Sequence, residues 1–292
     1  MRTVLFAALW WWLCAGYLQA ESRLALVIGN GAYGKGGVLP NPVRDARLMT
    51  SSLKTVGFDV VSVNDATRSD MKNAIRKFTD KITQAQSKHP VALLYYAGHG
   101  VQVNGRNYMM PVDISIDTPA TLEFDAIDVD QVMQMMNEAG GRVIILVLDA
   151  CRDNPFPAKT RSINRGLARM DAPVGTLIAY ATAPGSVARD GDGAKNSPFT
   201  KALSEELLVP GISIEKVFRN VRNKVMKMTN KEQVPWEASS LTGEDFYFLR
   251  DTTATAQDEQ EHLRWNRVRT STSRQDLQDF LSEYPQGVFA DV

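Results

Sequence analysis

Two nearly continuous apolar runs, at 91–96 and 143–148, place the strongest constraint on how this 292-residue chain can fold. Strands buried on both faces have this pattern, because a parallel sheet covered by helices exposes neither face to water. Segments with helical apolar spacing separate the strand-like runs along the chain. The sequence therefore predicts an α/β fold, a three-layer αβα sandwich around a mostly parallel sheet.

The same patterns predict the remaining elements. Further strands are expected at 23–29, 58–63, 176–181 and 245–249. Helices are expected at 43–56, 69–86, 128–139, 198–208 and 214–228. A β-hairpin is expected over 101–108, with its turn at Asn104-Gly105.

The chain is divided by composition into four parts: a leader at 1–20, a main domain at 21–250, a polar linker at 251–258 and a charged helical segment at 259–292. A single pair of helices has little of its own to bury against. The last segment is therefore expected to pack on the main domain or to begin a helical-repeat region that is cut off at Val292.

The leader has the composition of a secretory signal: a short basic start, an apolar core and the small residue Ala20 at the cleavage position. We expect export, with cleavage after Ala20; an uncleaved membrane anchor is the alternative, which the run Trp10-Trp11-Trp12 keeps open. Cleavage removes Cys14 and leaves one cysteine, Cys151. A lone cysteine in an oxidising compartment indicates a functional thiol, with a small buried hydrophobe as the alternative.

Two reactive side chains follow buried strands, His99 after the run at 91–96 and Cys151 after the run at 143–148. Parallel strands present their sites at their carboxyl ends, so the imidazole and the thiol are expected at one edge of the sheet. A nearby imidazole can activate a thiol as a nucleophile, which predicts a cysteine hydrolase. The amide of Gly100 is a candidate donor to a developing oxyanion. A metal is not expected at this site, since no second cysteine remains.

Two other classes of function fit the sequence less well. The segment Gly29–Gly34 matches G-x-G-x-x-G, but prolines at 40 and 42 continue the loop, and no acidic residue stands at the expected distance. We therefore interpret it as a glycine loop rather than a nucleotide site. The formal net charge is zero and no basic stripe is present, so no nucleic-acid partner is expected.

Several segments together resemble the caspase-like cysteine peptidases, especially the metacaspase and bacterial orthocaspase branch. The resemblance covers about 23–249. It is carried by Leu26–Asn30, Val43–Ala46, Tyr96–Gly100, Asp149–Arg152, Gly175–Ala181, Asn196–Thr200 and Asp245–Phe248. It implies a caspase-like fold, an endopeptidase with His99 and Cys151 as catalytic residues, and the amides of Gly100 and Cys151 as oxyanion donors. With the leader, it implies a location in the bacterial periplasm.

One departure from caspases concerns substrate choice. Caspases carry Gln-Ala-Cys where this chain has Asp149-Ala150-Cys151. In the metacaspase branch, the aspartates that match Asp149 and Asp45 are associated with binding a basic side chain. A carboxylate pair attracts Arg or Lys and repels Asp, so cleavage of protein or peptide substrates after Arg or Lys is expected. The alternatives are a helix first-turn residue for Asp45 and a structural hydrogen-bond acceptor for Asp149.

Two loops are candidate sites of regulation. The basic segment 156–170 fits self-processing or an ordinary solvated loop. No cofactor is required by the chemistry, and calcium activation stays open because 189–193 has only two Asp in a glycine-rich turn. The alternative to an enzyme is a non-proteolytic caspase-fold interaction module of the cell envelope, binding a protein partner through its C-terminal helices.

Overall fold

The computed structural model describes residues 21–34, 37–85, 90–115, 119–150, 163–164, 166–184, 186, 195–251, 256–271, 273–285, 287 and 289. The strands are β1 (Arg23–Gly29), β2 (Asp59–Asn64), β3 (Val91–Ala97), β4 (Gly100–Val103), β5 (Arg106–Met109), β6 (Ile127–Asp128), β7 (Val143–Asp149), β8 (Ile163–Asn164), β9 (Thr176–Tyr180) and β10 (Trp236–Ser239). The helices are α1 (Pro42–Thr55), α2 (Arg68–Thr83), α3 (Pro119–Asp125), α4 (Val129–Glu138), α5 (Pro198–Glu206), α6 (Ile214–Met228), α7 (Ala256–Val268) and α8 (Arg274–Glu283).

The main sheet has the strand order β10-β9-β7-β3-β1-β2 and is parallel except for β10. Helices α1, α5 and α6 pack together on one face, while α2 and α4 pack on the other. Strands β1, β3 and β7 lie at its centre and are buried almost throughout, as expected for strands covered on both sides. The prediction of a three-layer α/β fold is confirmed.

A smaller antiparallel sheet, in the order β6-β5-β4-β8, extends from the carboxyl end of β3. Strands β4 and β5 form the predicted hairpin, and the two turn residues Asn104 and Gly105 have φ values of 52° and 80°. Both central residues of a type I′ turn need positive φ, which is why Asn-Gly predicts this turn. This sheet lies beside the end of β3, where His99 connects β3 to β4.

The predicted last strand at 245–249 is wrong. The final strand of the main sheet is β10, which pairs antiparallel with β9. Residues 245–249 instead contain an isolated bridge between Tyr247 and Ser213, and the buried rings of Phe246 and Phe248 pack edge to face at 5.1 Å. Burial of these two rings accounts for the apolar pattern of the segment without a strand ladder.

The C-terminal helices bury apolar side chains against each other, although the sequence indicated that they have little of their own to bury. Helices α7 and α8 form a small cluster of Val268, Phe280 and Tyr284, with Trp265 packed against it. Helix α7 begins at Ala256, inside the segment predicted as a linker. Among the described residues, none of the helices is long and apolar enough to cross a membrane. The predicted leader at 1–20 lies outside the described residues.

Candidate active site

His99 lies two residues beyond the end of β3 and is 5% exposed. Its backbone is fixed on both sides. The amide donates to Tyr33 Oη at 2.9 Å, and the carbonyl accepts from Tyr96 Oη at 2.6 Å and from the amide of Met110 at 3.2 Å. The Tyr33 ring also lies against the imidazole, with ring centroids 4.5 Å apart. The structure thus places the predicted base in a well-defined position at the edge of the sheet.

Gly98 is required by the close packing around His99. A Cβ atom at this position would lie 2.6 Å from Tyr33 Oη and 2.7 Å from Tyr96 Oη, closer than real Cβ contacts allow. The two hydroxyls lie 3.1 Å from each other. The glycine before His99 therefore allows the pair of tyrosines to reach the backbone of the histidine.

Gly100 brings the histidine segment against the cysteine segment. A Cβ on Gly100 would lie 3.0 Å from Ala150 Cβ and 3.1 Å from Leu167 Cδ2. Ala150 directly precedes Cys151 in the chain, and Cys151 itself lies outside the described residues. The two motifs that the sequence placed on separate strand ends therefore meet in the structure.

Strand register gives the same result. Strands β3 and β7 are neighbours, and Ala97 pairs with Asp149 across them. His99 and Cys151 each follow these paired residues by two positions in the chain. The sequence prediction that both strands end at one edge of the sheet is correct for the residues that the structure describes.

Asp45 and Asp149 also lie at this edge, and Ser197 joins them. Asp45, in the first turn of α1, is fully buried; its Oδ1 accepts from Ser197 N at 3.1 Å and from Asn196 Nδ2 at 2.9 Å. Asp149 ends β7 and is 1% exposed; its Oδ2 accepts from Ser197 Oγ at 2.5 Å. One serine thus contacts both predicted substrate-binding carboxylates.

Thr200 completes this network. Its Oγ1 donates to Asp149 Oδ2 at 2.7 Å, and its amide donates to Ser197 Oγ at 3.0 Å, so Ser197 is the N-cap of α5. Tyr95 Oη lies 2.5 Å from Thr200 Oγ1 and is buried in the centre of β3. The amino end of α5 therefore faces the carboxylates, an orientation that favours negative charge.

The sequence did not identify Tyr33, Ser197 or Thr200 as site residues. Ser-Pro before a helical pattern indicates an N-cap, but nothing in that local signal shows which strand end the helix faces. Tyr33 stands in the glycine loop that follows β1. The loop amides of Gly31 and Ala32 both donate to Asp65 Oδ1 at 2.8 Å, which gives the loop a structural partner within the chain.

Several predicted features fall outside the described residues: Cys151, the basic side chains Lys159, Arg161 and Arg165, and the turn at 189–193. Arg169 is described and is exposed. In the part of the chain that the structure describes, no group of three or more His, Cys, Asp or Glu side chains is arranged to hold a metal ion. The calcium hypothesis for 189–193 stays a prediction.

Comparison with known proteins gives one family and two relatives. A profile of the caspase domain matches residues 22–247. The human protein named mucosa-associated lymphoid tissue lymphoma translocation protein 1 is 31% identical over 191 residues, which cover 65% of this chain and 22% of that protein. Its mouse homolog is 31% identical over 195 residues, covering 66% of this chain and 22% of the homolog. This chain thus spans less than a quarter of the length of these curated relatives.

Proposed function

The chain belongs to the caspase-domain family, and from this we propose that it is a cysteine endopeptidase that cleaves after Arg or Lys. The match of the caspase-domain family over residues 22–247 supports the cysteine-peptidase class. The proposal rests on the close approach of Gly100 to Ala150. Gly100 directly follows His99 in the chain, and Ala150 directly precedes Cys151. We assign the chain to the metacaspase and orthocaspase branch on the motif Asp149-Ala150-Cys151.

In the proposed reaction, the Cys151 thiol gives its proton to His99 and attacks the scissile carbonyl carbon as a thiolate. The amides of Gly100 and Cys151 donate to the oxyanion of the tetrahedral intermediate. The carbon–nitrogen bond then breaks, and His99 gives the proton to the leaving amine. Water hydrolyses the resulting thioester and releases the second product. No cofactor takes part in these steps.

Asp45 and Asp149 are proposed to bind the basic side chain of the substrate. Both are buried at the carboxyl edge of the sheet, and Ser197 contacts both. A guanidinium or ammonium group is attracted to two carboxylates, and a substrate carboxylate is repelled by them. Each residue also fits its structural alternative, because Asp45 lies in the first turn of α1 and Asp149 accepts hydrogen bonds at the end of β7. Substrate selectivity therefore decides between the binding role and the structural role.

The first test is turnover. Peptides ending in Arg or Lys before a fluorophore are incubated with the chain from Glu21, with and without calcium, beside Cys151→Ala and His99→Ala. The proposal predicts release that disappears in both variants and after thiol alkylation. Turnover that survives Cys151→Ala would contradict the mechanism. A requirement for calcium would support the activation hypothesis without changing the dyad.

The same chain is proposed to be exported to the periplasm after cleavage behind Ala20. Mass determination of the protein recovered from expressing bacteria tests this directly. A mass that begins at Glu21 supports export, and a membrane-bound protein that retains its first residues supports the anchor instead.

A second candidate is a non-proteolytic interaction module. It is favoured by the C-terminal pair α7 and α8, which has its own cluster and exposes Leu263 and Leu281 at 58% and 43%. Folded protein without turnover on any peptide, in the presence of calcium, would favour this function over the enzyme.

A further inference from the structure

We propose that Thr200 and Ser197 are specificity-positioning residues, which orient Asp149 and hold it in register with Asp45 for recognition of a basic side chain. Both residues act through the carboxylates rather than on the scissile bond. The inference rests on the proposed function.

The hydrogen bonds at Asp149 have a defined direction. Thr200 Oγ1 and Ser197 Oγ both donate to the same oxygen, Oδ2, at 2.7 and 2.5 Å. Because the Thr200 hydrogen is used in this bond, Tyr95 is the donor in its 2.5 Å contact with Thr200 Oγ1. A relay of hydroxyls therefore runs from the centre of β3 to the carboxylate. Two donors that converge on one oxygen fix the orientation of the carboxylate group.

Ser197 also links the two acids. The Ser197 amide donates a hydrogen bond to Asp45, and the Ser197 hydroxyl donates one to Asp149. Any shift at the start of α5 therefore moves both hydrogen bonds. An N-cap needs only to accept a hydrogen bond from the helix, which Ser197 does from Thr200 N at 3.0 Å. Its additional hydroxyl bond to a buried acid on another element goes beyond capping. Recognition of a guanidinium depends on such fixed, paired acceptors.

The test compares two substitutions at Thr200, which is fully buried. Thr200→Val keeps the shape of the side chain and removes the hydroxyl, while Thr200→Ser keeps the hydroxyl and removes only the methyl group. Thr79→Val is the matched control, because Thr79 is a largely buried threonine on α2 whose hydroxyl donates to a carbonyl of its own helix.

Binding is measured by calorimetry in a Cys151→Ala background, so that no turnover is needed. The probes are two acetylated tetrapeptide amides that end in arginine or in norleucine. We expect Thr200→Val to lower the preference for arginine about tenfold, the size expected for one hydrogen bond to a charged group. Thr200→Ser and Thr79→Val should keep the preference within about twofold.

The outcomes separate this inference from the proposed function. An unchanged arginine preference in Thr200→Val overturns the inference, as does an equal loss for both peptides with a lower melting temperature. A parent protein without arginine preference overturns it too, since there is then no selective pocket to position. If the parent prefers arginine and only Thr200→Val loses that preference, the inference stands, even if the Cys151 protein hydrolyses no peptide and the endopeptidase proposal fails.

Discussion

At the residue scale, the position of His99 depends on Gly98. We predict that Gly98→Ala lowers the free energy of unfolding by about 1–3 kcal/mol, the usual cost of forcing extra volume into a packed site. The added Cβ would lie 2.6 Å from Tyr33 Oη and 2.7 Å from Tyr96 Oη, and both tyrosines hold the His99 backbone. Peptide turnover should fall more than stability accounts for. Urea denaturation together with turnover on Arg peptides measures both effects.

Gly34→Ala is the matched control, because no atom lies within 4 Å of a Cβ built at Gly34. This variant should retain stability and turnover. If Gly98→Ala behaves like Gly34→Ala, then the two tyrosine hydroxyls do not restrict the histidine segment.

The same scale shows what the sequence can predict about the site. His99 was predictable because it follows a buried strand and stands between glycines, and Asp149 because it stands two residues before Cys151 in the cysteine motif. Ser197 and Thr200 were not assigned to the site, since their importance comes from the direction in which α5 points its amino end. That direction is a property of how α5 packs with α1 and α6, not of the local sequence.

At the element scale, Arg23 joins β1 to the segment that was wrongly predicted as the last strand. Its guanidinium donates to the carbonyls of Val56, Tyr247 and Phe248 at 3.1, 2.9 and 2.6 Å. We predict that Arg23→Met lowers the free energy of unfolding by about 2 kcal/mol, because three partly buried carbonyls lose a charged donor. Thermal and urea denaturation measure this. Arg76→Met on the exposed surface of α2 should change stability by less than about 0.5 kcal/mol; equal effects would contradict the assigned role.

The start of α4 gives a pH-dependent contribution to stability. Burial, and then the nearby Asp128 carboxylate, raise the pKa of Asp130 above its ordinary 3.8, with a smaller opposing effect from Arg106. The folded state therefore binds this proton more readily than the unfolded state. The contribution of Asp130 to stability is fully present below pH 3.8 and is lost as the pH rises through the higher folded pKa.

We therefore expect Asp130→Asn to be at least as stable as the parent at pH 7. Its free energy of unfolding should also lack the part of the decrease with rising pH that Asp130 causes. Urea denaturation between pH 3.5 and about 7 measures the slope, with Asp80→Asn on exposed α2 as the comparison. A steeper decline in Asp130→Asn than in the parent would contradict the assigned direction of the shift.

Element prediction succeeded or failed for physical reasons. The central strands β3 and β7 were recognisable because strands covered on both faces need continuous apolar runs. The edge strand β10 was missed because its four residues, Trp236–Ser239, are only partly buried and carry no such run. The segment at 245–249 has a stronger apolar signal, but its rings pack on the core without joining the sheet.

At the scale of the whole molecule, the C-terminal helices form a unit with its own contacts. Trp265 stacks on Phe289 at 5.1 Å, and Glu261 accepts from the amide of Phe289 at 3.0 Å. We predict that a chain covering 21–250 folds with nearly the melting temperature of the chain covering 21–292 and retains its turnover. Differential scanning calorimetry and peptide assays test this. Loss of folded protein on truncation would instead show that α7 and α8 stabilise the main domain.

The central claim is that a buried pair of acids, held by one serine at the carboxyl edge of the sheet, selects a basic side chain beside the His99–Cys151 pair. The most direct measurement is kcat/KM on peptides that end in Arg and in Asp, for the chain from Glu21 and for Asp45→Asn and Asp149→Asn. We predict a strong preference for Arg that falls in both variants. A preference for Asp in the parent, or an Arg preference that both variants keep, would contradict the account.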